Sequence, residues 1–196
     1  MKKFELTENF KMHFGKKLFQ IRALVDLECG IKTGELGGYV EKEENLDQSG
    51  NAWVYGNAQV SGNARVFGDA WVSVNARVSG NAQVSGNARV YGNAQVSGNA
   101  EVSGNAQVFG NAQVSGNARV YGNADILQIT GLGTCNRTTT AFRTKNGVRV
   151  KCGCFYGNVE QFREQVKRTR EGKVQAEYLK FAELIEIYFE EVKANE

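Results

Sequence analysis

The chain has 196 residues, of which 41% are hydrophobic, with no proline, four cysteines and a formal net charge of +3. That length suits one or two domains, and the apolar runs are too short to cross a bilayer. Because Met1-Lys2-Lys3 leads into a polar stretch and the cysteines form no secreted disulfide framework, we expect a cytoplasmic protein with no signal peptide, membrane partner or cofactor.

The N-terminal segment, residues 1–49, predicts short strands and turns. Residues 18–24 alternate apolar and polar side chains as a half-buried strand does, and a glycine-rich stretch follows at residues 34–40. The end of a stacked repeat exposes an open core and unpaired strand edges. We therefore expect this segment to form a β cap on the repeat that follows.

Thirteen consecutive hexapeptides run from Gly50 to Leu127, each a variant of Gly-Asn-Ala-x-Val-y. Ala and Val alternate with two variable residues, which predicts a short strand with an inward apolar face. Gly-Asn supplies the corner, since both residues tolerate turn dihedrals. Val74 replaces Gly at one corner, which indicates either a strained corner or one that does not need a positive φ. Units this short cannot bury their apolar face alone, so they must stack as a solenoid.

The spacing of Val54 with Ala58, repeated down to Val120 with Ala124, resembles that of the hexapeptide-repeat left-handed β-helix family. The resemblance implies a triangular solenoid with three hexapeptides per coil and Asn stacked above Asn at each corner. The expected fold is therefore mainly β. A left-handed parallel β-helix over residues 50–127 joins the cap to a C-terminal α+β domain, a hairpin plus two helices, over residues 128–196.

A coil of three hexapeptides sorts the outward residues into three faces. The second face is polar throughout, whereas the first carries a set of aromatic residues that we call the aromatic column. Its members are Trp53, Tyr55, Trp71, Tyr91 and Phe109. An apolar stripe of this size is normally covered. We expect the cover to be another subunit of a homo-oligomer, a dimer or trimer, or the chain's own ends, in particular the C-terminal helix.

The C-terminal segment predicts a hairpin and two helices. Asn146-Gly147 between two strand-like stretches is a strong hairpin signal. Asn158 and Gln161 form a capping-box start for a helix that Gly172 ends. A second helix over about residues 174–192 carries an apolar stripe. Its members are Tyr178, Phe181, Ile185, Tyr188 and Val192. Both helices are expected to pack against the hairpin.

Charge is concentrated near the C-terminus, with a balance of +7 over residues 130–173 and −4 over residues 174–196. Four of the basic residues are expected on one face of the hairpin, which we call the basic hairpin: Arg143, Lys145, Arg149 and Lys151. Such a cluster binds phosphates or an acidic protein surface. The alternative is a solvated face that the acidic second helix partly neutralises.

Catalytic and metal-binding candidates are weak. Acyltransferases of the hexapeptide-repeat family use a histidine as general base, but His13, the one histidine, lies outside the repeat and is expected to be solvated. Cys152-Gly153-Cys154 with Cys29 and Cys135 lacks the paired spacing of zinc sites, so we expect packed thiols and no metal.

The stretch from Leu18 to Val54 also resembles the start of many phage and prophage proteins that carry the same Gly-Asn-Ala array. The resemblance rests on Ile21-Arg22-Ala23-Leu24, on residues 34–39 and on Asn45-Leu46. It favours a non-catalytic phage or prophage binding protein on a rigid solenoid, for example a counter-defence inhibitor that docks a host protein. Two alternatives are an acyltransferase with an acyl-CoA-type donor and an anion or nucleic-acid binder that uses the basic hairpin.

Overall fold

The computed structural model describes residues 2–191. Three antiparallel strands form the N-terminal cap: β1 (Phe4–His13), β2 (Lys16–Ala23) and β3 (Leu36–Val40). Strand β3 then pairs in parallel with a strand of the repeat, so the cap extends one sheet of the solenoid.

The repeat forms twelve strands of two residues, each a variable residue followed by the inward Val. They are β4 (Trp53–Val54), β5 (Gln59–Val60), β6 (Arg65–Val66), β7 (Trp71–Val72), β8 (Arg77–Val78), β9 (Gln83–Val84), β10 (Arg89–Val90), β11 (Gln95–Val96), β12 (Glu101–Val102), β13 (Gln107–Val108), β14 (Gln113–Val114) and β15 (Arg119–Val120). Three parallel sheets result, in the orders β3-β5-β8-β11-β14, β4-β7-β10-β13 and β6-β9-β12-β15. Pairing of Trp53 with Trp71 confirms three hexapeptides per coil. The left-handed twist of the coil stays a prediction.

Inward side chains build one continuous core along the solenoid axis. Every inward Ala and Val from Ala52 to Val120 has no solvent-exposed surface. Side chains stack directly on their counterparts in the next coil, for example Val84 between Val66 and Val102. The strand pattern of alternate inward and outward residues is therefore confirmed.

The coiled region starts and ends earlier than the repeat. Val40 pairs with Val60 and Leu46 bridges Val66, so a first coil forms from residues that lack the Gly-Asn-Ala pattern. At the other end, Asn123–Asp125 form a 3-10 turn and the chain leaves the solenoid. The thirteenth hexapeptide thus adds no rung. The coils run from β3 to residue 121, rather than over the expected 50–127, and make five rungs in the longest sheet.

The hydrogen bonds that join successive coils outside the paired strand residues point the same way along the axis. An N–H of one coil donates to a carbonyl of the next, as Asn63 N does to Gly80 O at 2.8 Å. As a result, the first coil presents carbonyl groups that have no N–H above them, and the last coil presents N–H groups with no carbonyl below. These groups therefore need hydrogen-bond donors at the first end and acceptors at the last.

Donor groups cap the carbonyl end. Lys3 is buried, and its Nζ donates to the carbonyl oxygens of Ala52 at 2.9 Å, Ser49 at 3.2 Å and Gly50 at 3.3 Å. The amide of Asn45 donates to two further carbonyls, at 2.8 and 3.1 Å. These side chains replace the N–H groups that a preceding coil would supply.

Acceptor groups cap the opposite end. Asn123 Oδ1 accepts from Gln107 N at 3.0 Å, and Thr140 Oγ1 accepts from Gln113 N at 3.2 Å. The buried ring of Phe142 packs on the last inward side chains and closes the apolar core. The C-terminal domain is therefore also the second cap of the solenoid.

The C-terminal domain has four antiparallel strands and two helices. They are β16 (Ile126–Leu132), β17 (Arg137–Thr144), β18 (Gly147–Cys152), β19 (Phe155–Gly157), α1 (Val159–Thr169) and α2 (Gly172–Glu191). One face of the sheet packs on the end of the solenoid and the other packs on both helices. The predicted hairpin and two helices are thus confirmed. No helix within residues 2–191 is long and apolar enough to span a membrane.

Capping residues define the helix boundaries. Asn158 Oδ1 accepts from Gln161 N at 2.8 Å, and Gln161 Oε1 accepts from Asn158 N at 2.9 Å, which confirms the capping box that starts α1. Gly172 was expected to end α1. It is instead the first residue of α2 and has a φ of 55°. Of the predicted apolar stripe of α2, Val192 lies outside the described residues.

Corners of the solenoid behave as the sequence predicts. Asn amides form ladders at 2.9–3.2 Å from Asn63 through Asn81 and Asn99 to Asn117. Val74, which replaces a corner glycine, keeps the glycine conformation with a φ of 65°. The strained alternative is therefore the one that the structure adopts, since a β-branched residue rarely occupies this region.

We expect Val74→Gly to raise the free energy of unfolding by about 1 kcal/mol. The left-handed conformation costs an L-residue roughly 1–2 kcal/mol, and this gain exceeds the extra backbone entropy of glycine. Urea unfolding followed by circular dichroism measures the change. The reciprocal variant Gly80→Val should be destabilised, because an added Cβ would lie 3.0 Å from Gly98 N. Lower stability of Val74→Gly would contradict the strain.

Candidate interaction surfaces

Trp53 is the one fully buried member of the aromatic column. Its cover is the N-terminal cap: the ring of Phe4 lies edge-on to the indole, with centroids 6.4 Å apart. The chain's own N-terminal end, rather than the C-terminal helix, therefore covers the start of the aromatic column.

The rest of the aromatic column has no such cover within residues 2–191. Tyr55 and Phe109 are 44% and 43% exposed, and Trp71 and Tyr91 are half-buried. The rings of Tyr91 and Phe109 stack with centroids 5.5 Å apart and planes 15° apart. Arg89 is exposed and lies opposite Trp71 in the register of β10 with β7. It forms no ion pair with a carboxylate within residues 2–191. The face thus combines aromatic rings with one unpaired cation.

Helix α2 does not cover the aromatic column. Tyr178, Phe181 and Ile185 of its stripe are buried in the core of the C-terminal domain, against α1 and the sheet. Tyr188 donates a hydrogen bond to Asn123 O at 3.1 Å, at the junction with the solenoid. Since the stripe is already packed, the expected C-terminal cover is wrong.

The basic hairpin does not present its four cations on one face. Pairing runs from Thr144 with Gly147 to Thr139 with Cys152, so an odd-numbered residue always lies opposite an even-numbered one. Arg149 consequently shares a face with Phe142, whereas Arg143 shares the opposite face with Val148. We expected the four cations on one face because all four have odd numbers. Since odd-numbered residues of β17 lie opposite even-numbered residues of β18, this part of the expectation is wrong.

Arg143 has a structural role in the domain. Its guanidinium pairs with Asp125 at 3.1 Å, donates to Phe189 O at 3.3 Å and lies 5.3 Å from the Phe189 ring. Both charged side chains are mostly buried. This cation is therefore committed to joining α2 to the end of the solenoid and is not available to an anion.

The other three cations of the basic hairpin are dispersed. Lys145 is exposed in the turn, and Lys151 is half-buried on β18. Arg149 donates to the carbonyl oxygens of Asn146 and Val148 at 3.1 and 3.0 Å. Binding of nucleic acid by this hairpin stays a prediction, now without Arg143.

His13 is half-buried against the solenoid. The sequence had predicted a solvated residue. It lines a groove of about 340 Å³ between the β1–β2 turn and the polar face that carries Arg77 and Ser79. Burial, aided by Arg77 and Lys11, lowers the pKa of the imidazole, which is therefore neutral at pH 7. The described lining of the groove holds no carboxylate that would orient the ring as a general base.

The cysteines form no metal cluster among residues 2–191. Cys135 and Cys154 are exposed, while Cys29 and Cys152 are half-buried. Cys152 Sγ accepts a hydrogen bond from Thr139 Oγ1 at 3.2 Å. The thiols were expected to be buried, but two are half-buried and two are exposed. Cys154 is at the surface because it lies in the turn between β18 and β19.

Sequence reasoning missed Arg137. The residue was not part of any motif, but it begins β17 and lies beside Arg168 and Arg170 in a cavity between the sheet and the two helices. Only the fold brings together residues this far apart in the chain, so no local signal could have found them.

The fold and its ends define a β-solenoid repeat protein that is capped on both sides. In agreement, the family described as YdcK Beta solenoid repeat matches residues 58–73, 82–98, 94–110 and 112–124. The matched segments all lie within the Gly-Asn-Ala repeat, so the similarity concerns the scaffold. No curated protein matches the chain.

Proposed function

We propose that this chain is a non-catalytic binding protein that docks a partner protein on the solenoid face formed by β4, β7, β10 and β13. The observation that carries the proposal is the uncovered Tyr91–Phe109 stack beside Trp71 and the unpaired Arg89. Both ends of the described chain already serve as caps, so neither covers these residues.

The composition of this face suits protein recognition. Trp, Tyr and Arg are the residues most enriched among those that dominate binding energy. Rigid rings bury large apolar areas at low entropic cost, and a guanidinium pairs well with a carboxylate. The matching partner surface would therefore be apolar and carry one acidic side chain opposite Arg89.

The size of the face favours a transient foreign partner over a permanent homo-oligomer. Four strands about 4.8 Å apart and six residues of ~3.3 Å each give an area of roughly 300 Å². A stable interface buries about 800 Å² on each partner. A dimer or trimer would need surfaces beyond this face, whereas small transient contacts fall in its range.

A host protein is the first partner to test, because of the resemblance of residues 18–54 to phage and prophage proteins. In that setting the protein would act in the host cytoplasm, and docking would block a defence protein of the host. Acyl transfer is not proposed, since the neutral His13 has no orienting carboxylate among the described groove residues.

Site-specific photo-crosslinking in bacterial host cells tests the proposal. The photoreactive residue p-benzoylphenylalanine would replace Tyr91 or Phe109, with Gln95 as the matched control. Gln95 is exposed and points outward from the neighbouring polar face, in the next strand of the same coil. We expect one protein other than the chain itself to crosslink from positions 91 and 109 but not from position 95.

Binding of the purified partner completes the test. We expect the double variant Tyr91→Ser/Phe109→Ser to bind at least about tenfold more weakly, because the stacked rings contribute more than ~1.4 kcal/mol. The variant Gln83→Ser/Gln95→Ser should bind as wild type. Crosslinks from all three positions, or only to another copy of the chain, would overturn the foreign-partner proposal, the second outcome in favour of an oligomer.

A further inference from the structure

Two adjoining cavities lie between the C-terminal sheet and the helix pair. The inner one has a volume of about 140 Å³ and the outer one about 520 Å³. They share four lining residues: Arg137, Thr169, Arg170 and Tyr178. The two volumes therefore form one site, and its smaller part, the inner cavity, reaches the core residues Phe162 and Val166.

Three guanidinium groups surround this site without carboxylate partners. Arg137, Arg168 and Arg170 have no carboxylate oxygen within 4.0 Å among residues 2–191, in contrast to Arg163 on α1, which pairs with Glu186. Their hydrogen bonds within the chain are few: Arg168 donates to Gln165 Oε1 at 2.6 Å and Arg170 to its neighbour's carbonyl at 3.0 Å.

One acidic residue, Glu171, also lines the outer cavity, so the site keeps an excess of two positive charges. Arginine forks bind phosphate oxygens in pairs of parallel hydrogen bonds. The outer cavity is therefore suited to a phosphate group.

The inner cavity has a different character. Phe155, Phe162 and Val166 supply apolar walls together with the Tyr178 ring and the thiols of Cys152 and Cys154, while Gln165 and the shared residues Arg137, Thr169 and Arg170 form its polar side. Tyr178 donates to Leu132 O at 3.3 Å, and burial raises the pKa of its hydroxyl while Arg170 and Arg137 oppose the rise. An apolar cavity of about 150 Å³ is large enough to hold benzene. The inner cavity therefore matches one flat ring.

We propose that this site binds a small phosphate monoester whose ring enters the inner cavity while the phosphate contacts Arg137 and Arg170. Arg168 lines only the outer cavity and adds positive charge there. The site lies in the C-terminal domain and uses no residue of the aromatic column, so it is independent of the docking face.

Titration calorimetry with phenyl phosphate tests this proposal on the full chain. We expect Arg137→Met and Arg170→Met each to weaken binding at least about tenfold, the loss typical of one charge-assisted contact. Lys167→Met is the matched control, since it removes the same charge from α1 but does not line either cavity. It should change the Kd by less than about twofold.

Inorganic phosphate tests the inner cavity separately. We expect it to bind at least about tenfold more weakly than phenyl phosphate, because it leaves the apolar walls without a partner. The proposal is overturned if phenyl phosphate gives no binding heat at millimolar concentration. It also fails if Lys167→Met weakens binding as much as the two arginine variants, or if the two ligands bind equally well.

Discussion

Val84→Asp is expected to prevent folding of the solenoid. Val84 is fully buried and stacks between Val66 and Val102 in the middle coils. A carboxylate at this place has no cation and no hydrogen-bond donor, since the surrounding side chains are aliphatic. Burial of such an unpaired group costs at least several kcal/mol, which is comparable with the whole stability of a small domain.

The neighbouring residue provides the control. Gln83 belongs to the same strand but points outward and is exposed, so Gln83→Asp should lower the free energy of unfolding by less than about 1 kcal/mol. Circular dichroism and size-exclusion chromatography would distinguish the two variants. Similar melting temperatures would contradict the inward and outward assignment.

Lys3→Met is expected to be the most damaging change in the N-terminal cap. It leaves three carbonyl oxygens of the first coil without a donor. Each buried unsatisfied group costs about 1–3 kcal/mol, partly offset by removal of a buried charge, so a net loss of about 2 kcal/mol is expected at pH 7. Urea unfolding measures the loss.

The same variant should reveal a dependence on pH. Burial lowers the pKa of Lys3 to about 8 from 10.5, against the opposing effect of Asp47. Between these two values the unfolded chain binds the proton and the folded protein does not, so this lysine makes the wild type more stable as pH rises. From pH 8 to 9.5 the gain approaches about 2 kcal/mol at ~1.4 kcal/mol per pH unit.

The gap in stability between wild type and Lys3→Met should therefore widen from pH 7 to 9.5. Lys2→Met is the control, because Lys2 is exposed and pairs with Glu43 at the surface. Its difference from wild type should stay constant over this range. A gap for Lys3→Met that is constant or narrows with pH would show that folding does not lower the pKa of Lys3.

Much of the fold could be predicted because the repeat is regular. A constant spacing fixes which residues point inward and which strands pair, so the three faces and the Asn ladders followed from the sequence. The limits of the coils did not follow, since Val40 and Leu46 stack in the ladder without a Gly-Asn-Ala motif. Packing of one apolar side chain on another is sufficient there, and it has no distinctive local pattern.

The candidate sites were harder to predict, because they depend on register and on contacts between distant segments. The pairing of β17 with β18 decides whether Arg143 and Arg149 share a face. The pairing of β16 with β17 brings Arg143 to Asp125. Similarly, the contact of Phe4 with Trp53 joins residues from separate modules, and neither flanking sequence indicates it. Alternation within one strand could be read from the sequence, but pairing across strands could not.

The common direction of the hydrogen bonds that join coils outside the paired strand residues makes the two bare ends of the solenoid complementary to each other. A carbonyl-rich end of one molecule would accept bonds from the N–H-rich end of another, and the five-rung stack would grow into an open-ended polymer. Lys3 and Asn45 at one end, and Asn123 and Thr140 at the other, occupy these bonding positions within a single chain. The caps thus limit the length of the stack as well as stabilising it, and they keep a self-complementary repeat from forming filaments.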